Sequence, residues 1–212
     1  MTEILCATSN PHKVEEIAAI LAPLAMTVVG LDSLATPPPE PAEDGDSFEA
    51  NARIKAIAYA RATGRRCLAD DSGLEVDALG GAPGVHSARY AGVGATREER
   101  DAANNRKLLE ELARLPRAPR TARFVCALCL ADPAGTVVAE SRGEFEGIII
   151  DQPRGANGFG YDPLLLVPGT GRTSAELSPA EKNLRSHRGQ AVKQLAWLLM
   201  NSGGMAVNRS GD

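Results

Sequence analysis

Two adjacent carboxylates, Asp70 and Asp71, stand at the end of an apolar run and are followed by Ser72 and Gly73. Neighbouring acids in such a setting are costly to desolvate unless something positive is shared between them. Mg²⁺ suits that role, because it binds through one or two carboxylates and completes its shell with phosphate oxygens. A carboxylate here can also accept a proton from an attacking water, with Asp70 as the structural member that orients its neighbour. An Asp-Ser-Gly turn carrying exposed acids is the plainer alternative.

Three further polar groups suit a phosphorylated ligand. Thr8, Ser9 and Asn10 precede Pro11, His12 and Lys13 where an apolar strand turns into a helix, so backbone N–H groups and the positive helix end converge beside a lysine. The segment lacks the Gly-Lys-Ser of a Walker loop, and it also reads as an ordinary helix cap. Asn51 and Lys55 lie four residues apart, hence on one helix face, where an amide and an ammonium can both reach a polyphosphate. Glu43 lies just upstream in an acidic loop whose oxygens can reach Mg²⁺. Finally, Phe159 and Tyr161 flank Gly160 beside Asp162, in a chain with only four Phe, three Tyr and one Trp. An aromatic face there can stack on a base while an Asp, His or Arg reads its edge. His187 and Arg188 follow Ser186 at the start of a helix, a good position for an anion.

The elements that carry these groups follow from periodicity. Residues 3 to 8 read as a buried strand and residues 11 to 22 as a helix with Pro11 in its first turn, followed by a short strand at 26 to 29. The proline-rich stretch 36 to 42 reads as a stiff extended loop. A helix is expected from about Ser47 to Thr63, stopped by Gly64, then a strand at 66 to 69 that ends at the two acids. Thr96 and Glu99 form a capping box for a helix reaching about Arg114. Three strands, at 122 to 131, 136 to 142 and 144 to 150, are expected as an antiparallel meander, with a break at Gly143. Ser178 and Ser186 cap the last two helical stretches, and residues 201 to 212 read as a frayed tail. The fold class is therefore α/β with a mixed sheet flanked by helices.

Composition narrows the partners. At 212 residues the chain is one domain, or one domain with two lobes, and 43% apolar residues exclude a disordered chain. The net charge of −4 supplies no basic field for a nucleic-acid polymer. The longest apolar run is too short to cross a membrane, and the opening Met1-Thr2-Glu3 lacks a signal peptide's basic region, so a cytoplasmic protein is expected. Cys126 and Cys129 form a CxxC, but on a strand residues three apart face opposite ways, so both read as core cysteines rather than metal or redox ligands.

The segments "ATSNPHKVEEI", "SFEANARIKA", "LADDSGLEVDALGGAPGVHSARYAG", "GFGYDP" and "AELSPAEKNLRSHRGQA", in this order from Ala7 to Ala191, resemble the inosine triphosphate pyrophosphatase family, also called XTP/dITP diphosphatases. The resemblance implies an elongated mixed sheet, with an active cleft between two lobes within residues 1 to 200. It implies Mg²⁺-dependent hydrolysis of ITP, dITP and XTP to the monophosphate and pyrophosphate, in a homodimer. On it, Thr8 through Lys13 hold the phosphates and Lys55 adds charge. Asp71 is the metal-binding general base, Ser72 a substrate contact, and Glu43 a second metal ligand. Phe159 to Asp162, Lys182, His187 and Arg188 form the base pocket. A Maf-like pyrophosphatase acting on pyrimidine or modified nucleotides, and a nucleotide sensor without turnover, are the competing readings.

Overall fold

Six strands form one mixed sheet in the computed structural model, which describes residues 2–24 and 26–202. Strand β1 (Thr2–Cys6) pairs in parallel with β2 (Met26–Val29) on one side and β3 (Cys67–Val76) on the other. Parallel neighbours need crossover connections. Helices α1 (Pro11–Leu21) and α2 (Phe48–Thr63) supply them. Beyond β3, strands β4 (Thr121–Ala131), β5 (Val137–Ile149) and β6 (Leu165–Leu166) run antiparallel, giving the order β2-β1-β3-β4-β5-β6.

Strand β4 shows why the sheet is covered on both faces. Cys126, Leu128 and Leu130 pack with Ile17 and Leu21 of α1 and with Val192 and Leu195 of α5 (His187–Ser202). Alternate residues Val125, Ala127, Cys129 and Ala131 pack with Phe48, Ala52, Ala56 and Tyr59 of α2. The two cysteines of the CxxC thus lie on opposite faces, as the strand period requires. A third cluster joins Leu108 and Leu112 of α3 (Arg97–Ala113) to Leu74, Phe124, Phe145 and Tyr161.

The caps read at Asn10, Thr96 and Ser178 are present, and Ser47, expected as the first residue of its helix, is a cap as well. Asn10 accepts the His12 N–H, Ser47 that of Ala50, and both Thr96 with Glu99 and Ser178 with Glu181 form capping boxes, the last opening α4 (Pro179–Arg185). Two boundaries differ from expectation. Strand β3 continues through Asp70, Asp71, Ser72 and Gly73 instead of turning there, and β5 runs unbroken through Gly143. In both cases the glycine provides room: a side chain at Gly73 would overlap Ser87, and one at Gly143 would overlap the backbone of α5. Of the expected tail, Asn201 and Ser202 still belong to α5, and residues 203 to 212 lie outside the described residues.

Candidate active site

A cavity of about 480 Å³ opens where β1 runs into α1 and beside the middle of β3. Thr8, Ser9, Asn10, Pro11 and Lys13 line one side, and Glu43, Lys55, Asp71 and Ser72 line another. Phe159, Gly160, Tyr161, Asp162, Lys182 and His187 close one end. The segments quoted from the sequence therefore converge on one hollow although they are far apart along the chain.

Because β3 is extended, Asp70 and Asp71 point to opposite faces and do not share a cation. Asp70 meets Lys13 and Arg188, whose Nε donates to Oδ2 at 2.7 Å, and the Cys126 thiol donates to the same oxygen at 3.1 Å. Burial works to raise the Asp70 carboxyl, but the two cations outweigh it and hold the group well below the usual carboxylate range. Asp71 faces α2. Its Oδ1 accepts from Lys55 Nζ at 2.8 Å, and its Oδ2 is buried without a partner. Burial here wins over the lysine and pushes the carboxyl up.

Lys55 is buried and fully engaged. Its ammonium donates to Asp71 Oδ1, pairs with Glu43 Oε1 at 2.8 Å and donates to the Asp70 carbonyl at 3.0 Å. Burial alone would lower its pKa, but the two carboxylates raise it. Glu43 is in turn drawn down by Lys55 and by Arg89, 3.6 Å away, against the opposing effect of its own burial.

At the aromatic end, Asp162 braces its own loop: Oδ2 accepts the Phe159 N–H at 2.8 Å and Lys182 Nζ at 2.7 Å, and Oδ1 accepts the Ser174 hydroxyl. The Tyr161 hydroxyl donates to the Ser87 carbonyl. His187 stacks on Phe124 with ring centres 5.1 Å apart, and its Nδ1 is buried without a partner. Burial, together with Arg188 and Lys182, holds His187 well below its ordinary pKa, so the ring is neutral.

The model of the Ham1 family matches residues 4–197. The chain belongs to the Ham1 family. A dITP/XTP pyrophosphatase of Exiguobacterium sp. strain AT1b is 52% identical over 195 residues, covering 91% of this chain and 94% of the relative. Among solved structures, a HAM1 protein from Coxiella burnetii superposes with a TM-score of 0.84 at 42% identity, covering 95% of this chain and 100% of that one. A nucleoside-triphosphatase / dITP/XTP pyrophosphatase from Mycobacterium abscessus gives 0.71 at 42% identity, covering 92% and 98%.

Within this Ham1 fold several expected site residues take other positions. Asn51 is fully buried and is not part of the cavity lining; its Oδ1 accepts the Gly45 N–H at 2.9 Å and so tethers the loop that carries Glu43. His12 is exposed and stacks on Phe159 at 5.8 Å, against a second, smaller hollow of about 270 Å³. Arg188 is 1% exposed and is held by Asp70, Glu16 and the Ser72 hydroxyl, with its guanidinium 5.9 Å from the centre of the Phe159 ring. Asp162 likewise has both oxygens occupied within the protein. Glu16, Arg89, Arg97, Arg100 and Asp101 escaped sequence reading. Glu16 was accessible as the residue one helical turn beyond Lys13, and Arg89 from its place within the glycine-rich stretch after β3.

The donor set fits Mg²⁺ that draws most of its ligands from a triphosphate. No cluster of three metal-binding side chains occurs among the described residues, but Asp71 Oδ2 is an unpartnered anionic oxygen in the cavity wall, with Glu43 facing the same lysine.

Proposed function

We propose that this chain hydrolyses the non-standard purine nucleoside triphosphates dITP, ITP and XTP to the monophosphate and pyrophosphate. In this reading residues 1 to 200 act as one two-lobed unit with the cavity between the lobes. The observation that carries it is Asp71 Oδ2, a buried carboxylate oxygen without a partner, in a cavity with a helix N-terminus and Lys13 on one side and an aromatic loop at one end. The relatives from Exiguobacterium sp. and Mycobacterium abscessus, which are dITP/XTP pyrophosphatases by their names, supply the substrate class.

Asp71 and Glu43 would hold Mg²⁺. When bound, Mg²⁺ neutralises charge on the α-phosphoryl oxygens and makes the phosphorus a better electrophile. Asp71 takes the proton of the attacking water as that water's oxygen bonds to the α-phosphorus. The bond to the bridging oxygen breaks, and its electron pair leaves with pyrophosphate. Lys13 and the N-terminal end of α1 face the β- and γ-phosphates. Lys55, with its bonds spent on Asp71, Glu43 and Asp70, keeps the two carboxylates together rather than neutralising the leaving group. Phe159 offers a face to the base, and His187 Nδ1 offers a hydrogen bond to its edge. Four buried, unpaired cysteines accord with a reducing compartment, hence a cytoplasmic enzyme, and the resemblance implies a homodimer.

Pyrophosphate release from dITP, ITP, XTP and the standard triphosphates, with Mg²⁺ and after chelation, tests the reading. Release from the first three, little from the others and none without metal is expected. Preferential use of pyrimidine nucleotides would favour the Maf-like activity, and tight binding without release a sensor.

A further inference from the structure

One face of α3 reaches the aromatic loop. Arg97, Asp101 and Asn105 are four residues apart and so lie on a single stripe of the helix. Asp101 Oδ2 accepts the Gly160 N–H at 2.8 Å, and Asn105 Nδ2 donates to the Gly160 carbonyl at 3.0 Å, so one residue of the loop is gripped at both ends. Gly160 has φ of +61° with open space around it; the glycine serves the backbone conformation, and α3 fixes where that conformation sits. Arg97, 3.9 Å from Asp101, lays its guanidinium 4.6 Å from the centre of the Phe159 ring.

We propose that Asp101 and Asn105 are positioning residues for nucleobase recognition, which set the plane of Phe159 by holding the peptide of Gly160. This rests on the reading of Phe159 as the ring that meets the base. Consecutive backbone N–H groups, those of Phe159 and Gly160, are each taken by a carboxylate from a different part of the chain, Asp162 and Asp101. The aromatic residue is thereby held from both sides. Phe159 is half-buried, and His12, Arg97 and Lys182 lie against its ring, so the backbone grip fixes where the ring sits among them.

The arm that does the holding is itself rigid. Leu108 and Leu112 anchor α3 in the core, and Asn104 accepts the Ala91 N–H at 2.7 Å while donating to the Ser87 carbonyl at 3.2 Å. The same helix therefore fixes the loop after β3, which carries Arg89, and the aromatic loop on the other side of the cavity. Stacking depends on ring orientation, so loss of the grip on Gly160 weakens base binding without touching the phosphate end.

Asp101→Ala, Asn105→Ala and Asp101→Asn separate this from a purely structural brace. Steady-state hydrolysis of dITP is measured beside calorimetric binding of inosine monophosphate and of inorganic tripolyphosphate. Each alanine variant is expected to raise KM for dITP and weaken monophosphate binding by about tenfold, the scale of one lost hydrogen bond, with kcat little changed. Tripolyphosphate binding stays at the wild-type level. Asp101→Asn keeps an acceptor for the Gly160 N–H and restores the monophosphate affinity. A lower melting temperature with unchanged monophosphate affinity, or equal losses for monophosphate and tripolyphosphate, overturns the proposal. If the wild-type protein cleaves none of the purine triphosphates, the hydrolase reading fails, and the two binding measurements still decide the role of α3.

Discussion

Asp70 and Asp71 are chemically identical neighbours that the strand sends into different surroundings. Asp70 meets Lys13, Arg188 and the Cys126 thiol on one face, and its charge is locked. On the other face Asp71 spends one oxygen on Lys55 and keeps the other free, with burial raising its proton affinity. The free oxygen is the one suited to a proton or a metal. Asp71→Asn preserves the shape and leaves Lys55 its bonds to Glu43 and the Asp70 carbonyl, so the variant is expected to fold. Its turnover should fall by at least ~10²–10⁴-fold, the contribution of a positioned base. Pyrophosphate release near the wild-type rate, with an unchanged circular dichroism spectrum, would remove Asp71 from the chemistry.

At the scale of elements, the helices were legible because their signals are local: Pro11 at the start of α1, Ser47 before α2, and the Thr96 and Glu99 pair before α3 each fix an end within four residues. The strands were less so. Asp, Ser and Gly are turn formers in isolation, yet β3 carries Asp70 to Gly73 in extended form because β4 pairs along its full length and because Lys13 and Arg188 neutralise Asp70 from 57 and 118 residues away. The same distance in sequence hid the role of Arg188, whose partner Asp70 only the fold reveals; Asn51 instead meets the Gly45 N–H six residues upstream, inside the irregular acidic loop. Gly143 was misread as a break for a related reason: its missing side chain lets α5 cross β5 closely. Gly143→Ala should therefore push α5 off the sheet, lowering stability by about 1–3 kcal/mol as overpacked positions do. Since α5 begins at His187, the activity should fall as well. A melting temperature equal to that of the wild type would show that the crossing has slack.

Over the whole molecule, a sheet covered on both faces buries a chain of charges that links its two sides of the site: Glu16, Arg188, Asp70 and Lys13 on one, Glu43, Lys55 and Asp71 on the other. Their linkage to pH has mixed signs. Burial opposes ionisation of Asp70, Glu16 and Glu43, but their cations prevail and hold the folded pKa values below the ordinary ones. These three contribute stability above the ordinary carboxylate pKa of about 4, and that contribution is lost as pH falls through the depressed folded values. Asp71, raised by burial, has the reverse sign, so acidification through its folded pKa relieves a cost. Asp70, held farthest below the ordinary range, sets the sign for the network, so stability is lost below about pH 4. Asp70→Asn isolates the largest part. It leaves the buried Arg188 without one of its two carboxylates, which costs about 3–5 kcal/mol at neutral pH by analogy with other broken buried pairs. It also removes the group whose protonation destabilises the fold in acid. Thermal unfolding followed at pH 7 and pH 3 should then show a lower melting temperature for Asp70→Asn at pH 7 and a smaller fall between the two conditions than in the wild type. Equal falls would place the acid sensitivity elsewhere than in the Asp70 ion pairs.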